Sequence, residues 1–155
     1  MPLTIGDVFV WENFDNHNDG SIKNAWFVYI GKTGLFSEVS LFYILRTTTQ
    51  LHHYENTGSR HKHITHIFDP SNNPAHTCFD SKCLLDLTEK PFEITRDLNE
   101  LERLGKLNRK GSLPLPELAE VFKKLCNSKL IPKITKRNIR DSLRAAGVKG
   151  LPDQV

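Results

Sequence analysis

Two histidines stand two residues apart in the run Arg60–Phe68, RHKHITHIF. Imidazole is the side chain that ordinarily titrates near neutral pH, so His61 and His63 are candidates for general acid–base work. On an extended chain, residues two apart share a face, which aims the two rings the same way and sets Arg60, Lys62, Ile64 and His66 on the other face. Lys23, Arg46 and Arg60 can stabilise a developing negative charge. Thr48 carries a hydroxyl able to position a phosphate oxygen, and Tyr54 or Trp26 offers a ring on which an unpaired base can stack. Together these groups suit metal-free chemistry at a phosphate: a base for a hydroxyl proton, an acid for the leaving oxygen and cations for the phosphorane. Each also has an ordinary role. Thr47–Thr49 are β-formers at a strand end, Lys23 is a surface lysine, the histidines are exposed strand residues, and Trp26 sits inside an apolar run.

The elements that must position these groups centre on Lys23–Gln50. Two apolar runs, Ala25–Ile30 and Val39–Leu45, flank a turn at Gly31–Gly34. Aromatic and β-branched residues fill both, and about six residues each favours strands over helices. An earlier strand is expected at Asp7–Trp11, then a polar loop from Phe14 to Ser21. Arg60–Phe68 reads as a strand with a solvent-facing start, and Thr77–Leu87 supplies another. Short strands separated by turn signals, with no helical pattern until late, predict a small antiparallel barrel.

After Pro91 the pattern becomes helical. Asp97 with Glu100 has the form of a capping box, with Leu98, Leu101 and Leu104 following and Gly105 as a stop. Ser112 opens a second helix, whose Leu118, Val121, Phe122 and Leu125 make one apolar stripe. A third helix follows Pro132, with Thr135 as N-cap, Ile134 and Ile139 as a hydrophobic staple, and Gly147 with Val148 and Leu143 as a Schellman ending. Its exposed face is expected to carry Lys136, Arg137, Arg140 and Arg144.

A chain of 155 residues is one domain, or one with a small appendage. The formal charge is +3, but residues 106–149 hold twelve lysines and arginines against Glu117, Glu120 and Asp141. That excess is either a phosphate-facing surface or a set of solvated helix faces. No apolar run approaches the roughly 20 residues of a membrane span, and the first residues lack a signal-peptide pattern. Three cysteines at irregular spacing argue against a disulfide framework and fit a reducing cytoplasm. A rival reading gathers His61, His63, His66, His76, Cys78 and Cys83 around zinc, but the set lacks a tight Cys-x-x-Cys pair.

Gly6-Asp7-Val8 before an aromatic strand, Thr48-Thr49-Gln50 at a later strand end, Cys83–Leu87, Phe92-Glu93-Ile94, Leu101–Leu107 and Glu117-Leu118 with Val121 together resemble the MazF/PemK family of bacterial toxins over about residues 5–126. The resemblance implies a mainly β, α+β fold: an SH3-like small antiparallel barrel of the CcdB/MazF/PemK type with C-terminal helices. It places a barrel domain at 1–128 and a basic helical extension at 129–155. It implies a sequence-specific, metal-independent endoribonuclease, cytoplasmic, homodimeric and without cofactor, that cleaves single-stranded RNA and is neutralised by a cognate antitoxin. Thr48 matches the family's catalytic threonine. Where the family has arginine-proline, this chain has Lys23-Asn24-Ala25, with Arg46 as a nearby cation. The expected catalytic set is Thr48, Lys23, Arg46, His61 and His63. The expected RNA contacts are Gln50, Tyr54, Arg60, Lys62, Arg137 and Arg140. The alternative is a non-catalytic nucleic-acid-binding or host-defence interaction protein on the same scaffold.

Overall fold

The computed structural model describes residues 1–15, 22–34 and 37–155. Most of the expected Phe14–Ser21 loop lies outside the described residues. The elements are β1 (Asp7–Phe14), β2 (Lys23–Lys32), β3 (Phe42–Thr48), β4 (Thr65–Phe68), β5 (Cys83–Asp86), β6 (Phe92–Ile94), α1 (Leu98–Arg103), β7 (Leu107–Ser112), α2 (Leu115–Leu125) and α3 (Lys133–Ala145). Short 3-10 turns fall at Leu51–Tyr54 and Pro74–His76.

Among the described residues the strands form one antiparallel sheet in the order β4-β5-β3-β2-β1-β7, and β6 also pairs with β3. The order is open, with β4 and β7 at its two ends. β3 has a divided edge: its first half pairs with β6 and its last two residues pair with β5.

The dense apolar runs are explained by burial on both sheet faces. On one face Val8, Val28, Ile30, Tyr43, Leu45 and Leu85 pack with Leu118, Val121, Phe122 and Leu125 of α2 and with Ile139 and Leu143 of α3. On the other, Phe9, Trp11, Phe14, Ala25, Phe27, Tyr29 and Ile44 pack with Leu98 and Leu101 of α1. A strand buried on both sides has no polar alternation to display. Residues 129–155 contribute Ile131, Ile139, Leu143 and Val148 to the first of these cores.

Several local expectations are corrected. The second central strand begins at Phe42, because Thr33 Oγ1 bonds Val39 O and Leu41 N and folds that stretch into the preceding turn. Only Thr65–Phe68 of the run Arg60–Phe68 is strand. Turn bonds from His61 N to Gly58 O and from His63 N to Arg60 O hold its first half, so His61 and His63 do not share a strand face. Ser112 ends β7 opposite Asp7, and the second helix starts after Pro114. Asp97 caps α1 through Asn99 N at 2.9 Å, but Glu100 bonds Arg103, so the reciprocal half of the capping box is missing. In α3 the N-cap is Pro132, Thr135 is buried within the helix, and Ile134 is exposed, which removes the staple. Lys136 is buried too and does not belong to an exposed basic face.

Candidate functional site

The sheet puts three of the expected groups on one face. Phe27 pairs with Arg46, so their side chains share a side. Lys23, four residues before Phe27, and Thr48, two after Arg46, keep to that side by the alternation of strand residues. Thr48 pairs with Leu84 of β5. Asp86, two residues beyond Leu84, shares the face, and a diagonal neighbour of this kind is about 7–8 Å away. Thr48 is half-buried, and its Oγ1 accepts a bond from Gln50 N at 3.1 Å. That turn contact leaves its O–H proton available to donate. Lys23 and Gln50 are exposed and Arg46 is half-buried.

Asp86 is the residue that the sequence reading missed. Its Oδ2 accepts from His63 Nδ1 at 2.6 Å and from the Tyr54 hydroxyl at 3.0 Å, and its Oδ1 accepts from Thr88 N at 3.1 Å. Arg60 donates from Nη1 to the Tyr54 oxygen at 3.2 Å. The chain of donors therefore runs from Arg60 to Tyr54 to Asp86, and His63 meets the same carboxylate from the other side. A carboxylate only accepts, so the neutral His63 ring carries its proton on Nδ1 and a lone pair on Nε2. Its side chain is 25% exposed, against 10% for Asp86. Burial raises the Tyr54 phenol, with Arg60 pulling down and Asp86 up, so Tyr54 stays protonated. The Arg60 guanidinium is held still more firmly charged by its bond to Tyr54, and by Asp86 and Glu89 nearby.

The site is stitched by its backbone. Ile64 N donates to Thr88 Oγ1 at 2.7 Å and Leu87 N to Ile64 O at 2.7 Å, which ties the residue after His63 to the turn after Asp86. His61 lies apart, exposed, with Nδ1 3.0 Å from Gly58 O. Lys62 is exposed. On α3, Arg137 is exposed, whereas Arg140 contacts Asp141 Oδ1 and Asp153 O, and Arg144 contacts Asp153 Oδ1. The C-terminal segment thus covers part of the basic helix.

A second polar cluster lies on the α2 side of β4. Glu117 Oε2 accepts from His66 Nε2 at 2.8 Å and from His76 Nε2 at 2.6 Å. Asp69 N donates to His76 Nδ1 at 3.0 Å, and Lys124 Nζ stands 3.1 Å from His66 Nδ1. A cleft of about 610 Å³ opens beside it. Both imidazoles use both nitrogens on protein partners, so neither ring has a nitrogen left to offer a substrate. The same geometry bears on zinc. Among the described residues the six side chains of the zinc reading do not come together as a ligand set, and the rings of His66 and His76 are already engaged at both nitrogens by Glu117, Lys124 and Asp69 N. Burial raises all three thiols, Cys83 to about 12, as apolar surroundings do for structural cysteines.

Fold and site together define an antiparallel β-sheet protein with C-terminal helices and an aspartate-oriented histidine at one end of the sheet. Compared with protein-family models, with curated proteins and with solved structures, the chain matches none of them.

Proposed function

We propose that the protein is a metal-independent endoribonuclease acting on single-stranded RNA, with His63 as general base. The observation that carries this reading is the 2.6 Å bond from His63 Nδ1 to Asp86, which leaves Nε2 as the unprotonated nitrogen of a partly exposed ring. His63 takes the 2′-OH proton, the 2′-oxygen attacks phosphorus, the P–O5′ bond breaks, and the 5′-oxygen takes a proton from solvent. Products are a 2′,3′-cyclic phosphate and a 5′-hydroxyl. Arg46 and Lys23, on the face of Thr48, stabilise the phosphorane, and the Thr48 hydroxyl orients a non-bridging oxygen. Arg60 and Tyr54 hold Asp86. Closure of the open sheet into an SH3-like barrel belongs to this reading, supported by the way β3 is shared between β5 and β6. So do the toxin role in the cytoplasm, the antitoxin partner and the homodimer, which rest on the resemblance.

The test is incubation of long single-stranded RNA with purified protein in excess EDTA. Cleavage at a few defined sites is expected. His63→Ala should slow it by about 10²–10⁴-fold, and Thr48→Ala by about 10²-fold, the usual loss for one donor to a developing oxyanion. Intact RNA with folded protein ends the proposal. Salt-sensitive binding without cleavage would support the second reading, a nucleic-acid-binding module, which the exposed Lys133 and Arg137 of α3 favour.

A further inference from the structure

His63, Asp86 and Glu89 each place a ligand atom within 4.8 Å of the other two. Zinc bonds of about 2.0–2.2 Å to imidazole nitrogen and carboxylate oxygen put tetrahedral ligand atoms roughly 3.4 Å apart, so the set closes by a side-chain rotation of the exposed Glu89 and a slight opening of the 2.6 Å His63–Asp86 pair. The turn that brings Glu89 back beside Asp86 is fixed by the bond from Thr88 N to Asp86 Oδ1, and the bond from Ile64 N to Thr88 Oγ1 fastens that turn to the chain next to His63. Tyr54 donates to Asp86 at 3.0 Å, the outer-sphere support that ligating carboxylates ordinarily have. Arg60 reaches the group through the Tyr54 oxygen, so its bond is to the supporting residue and not to a ligand atom. One nitrogen and two carboxylates, three protein ligands in all, leave a fourth tetrahedral position for water and suit Zn²⁺ better than the six-oxygen preference of Mg²⁺.

We infer that His63 Nδ1, Asp86 and Glu89 form a Zn²⁺ site that switches the histidine off as a base. Zinc takes the Nδ1 position, the ring proton that Nδ1 had held in its hydrogen bond to Asp86 is carried on Nε2 instead, and Nε2 no longer accepts a proton. No net charge leaves the ring and no co-reactant is needed. The inhibitory part rests on the ribonuclease reading; the metal site itself does not.

The experiment has two arms on the full chain, freed of metal. In the first, ZnCl₂ is titrated by calorimetry into wild type, His63→Ala, Glu89→Gln and the paired His52→Ala, His53→Ala variant. One zinc per chain is expected, with affinity falling by more than about tenfold in His63→Ala and in Glu89→Gln, the least that even outer-sphere partners usually cost. The His52, His53 variant should bind as wild type. No binding, or binding lost only in the His52, His53 variant, overturns the site. Glu89 is exposed, so Glu89→Gln keeps the test valid if His63→Ala fails to fold. In the second arm, zinc is added to the RNA reaction. Loss of cleavage, restored by EDTA, supports the switch, and stimulation by zinc overturns it. If RNA stays intact with and without zinc, the ribonuclease reading has failed, while the calorimetry still decides the metal site.

Discussion

Lys136 shows how a residue type can mislead when its environment is unknown. Within a basic stretch it reads as surface charge, yet its Nζ donates to Cys126 O at 2.9 Å and to Ser128 O at 2.8 Å. It caps carbonyls just past the C-terminal end of α2, where a cation is favoured. Lys136→Met keeps the stem and strands both carbonyls. It should destabilise the fold by about 1–3 kcal/mol, whereas Arg137→Met, on the exposed side, should stay within about 0.5 kcal/mol. Urea midpoints at an unchanged slope measure the difference, and equal midpoints would refute the capping role. Glu117 makes a pH-dependent case. Burial raises its carboxyl, but hydrogen bonds and charge from His66 and His76 outweigh that and leave it lowered. Cys78, Lys124 and Glu120 are the other ionisable groups around it. A lowered carboxyl contributes stability that is complete above its unfolded value, about 4.3, and is lost as pH falls through the lower folded value. Wild type should therefore lose stability below about pH 4.3 more steeply than Glu117→Gln. Parallel acid limbs in the two proteins would show that the carboxylate contributes nothing there.

At the scale of elements, the sequence was readable where one periodicity served one core. The stripe Leu118, Val121, Phe122, Leu125 is buried as expected, because an amphipathic helix writes its facing directly into its spacing. The ending of α3 was also readable. Gly147 has φ +96°, its N–H donates to Arg144 O, and Val148 N donates to Leu143 O, which completes the Schellman pattern. β7 was hidden because Leu107–Ser112 is an edge strand with one buried side chain, held by its backbone ladder to β1. Asp86 was hidden for a different reason: its partners lie 23 and 32 residues away, and no local pattern encodes that distance. Thr48 was named from its hydroxyl and from the family resemblance, and His63 from its type and its spacing to His61; only the sheet shows that Thr48 and the partner of His63 share a face. Where β2 meets α3 the fold depends on a missing side chain. A Cβ on Gly31 would stand 3.1 Å from Ile139 Cα and 3.3 Å from Ser142 Cβ. The helix backbone cannot rotate aside, so Gly31→Ala should force α3 off the sheet and cost about 1–3 kcal/mol. Gly147→Ala meets no close atom but must adopt positive φ, costing about 1 kcal/mol. Thermal melts should rank Gly31→Ala below Gly147→Ala, and the reverse order would mean that the helix yields more easily than the cap.

At the scale of the whole molecule, the question is whether residues 129–155 are an appendage or part of the core. Sequence favoured an extension, because the segment is basic and falls outside the stretch that resembles the toxin family. Packing argues the other way. Ile139 and Leu143 are fully buried against the face that holds Val28, Ile30 and Tyr43, and Ser142 Oγ bonds both Lys32 N at 2.9 Å and Lys32 O at 3.0 Å. Asn138 also donates to the Tyr43 hydroxyl at 3.1 Å. A chain ending at Ser128 would expose this face of β2 and lose the buried side chains of Ile131, Ile139, Leu143 and Val148. At roughly 1.5–3 kcal/mol for each large apolar side chain, that loss is of the same size as the 5–15 kcal/mol by which whole domains are stable. The shortened chain should therefore show no cooperative unfolding transition and no dispersed amide spectrum. A folded, cooperative 1–128 fragment would instead make α3 a detachable unit, and the basic residues it carries could then be assigned to RNA binding without regard to the fold they now complete.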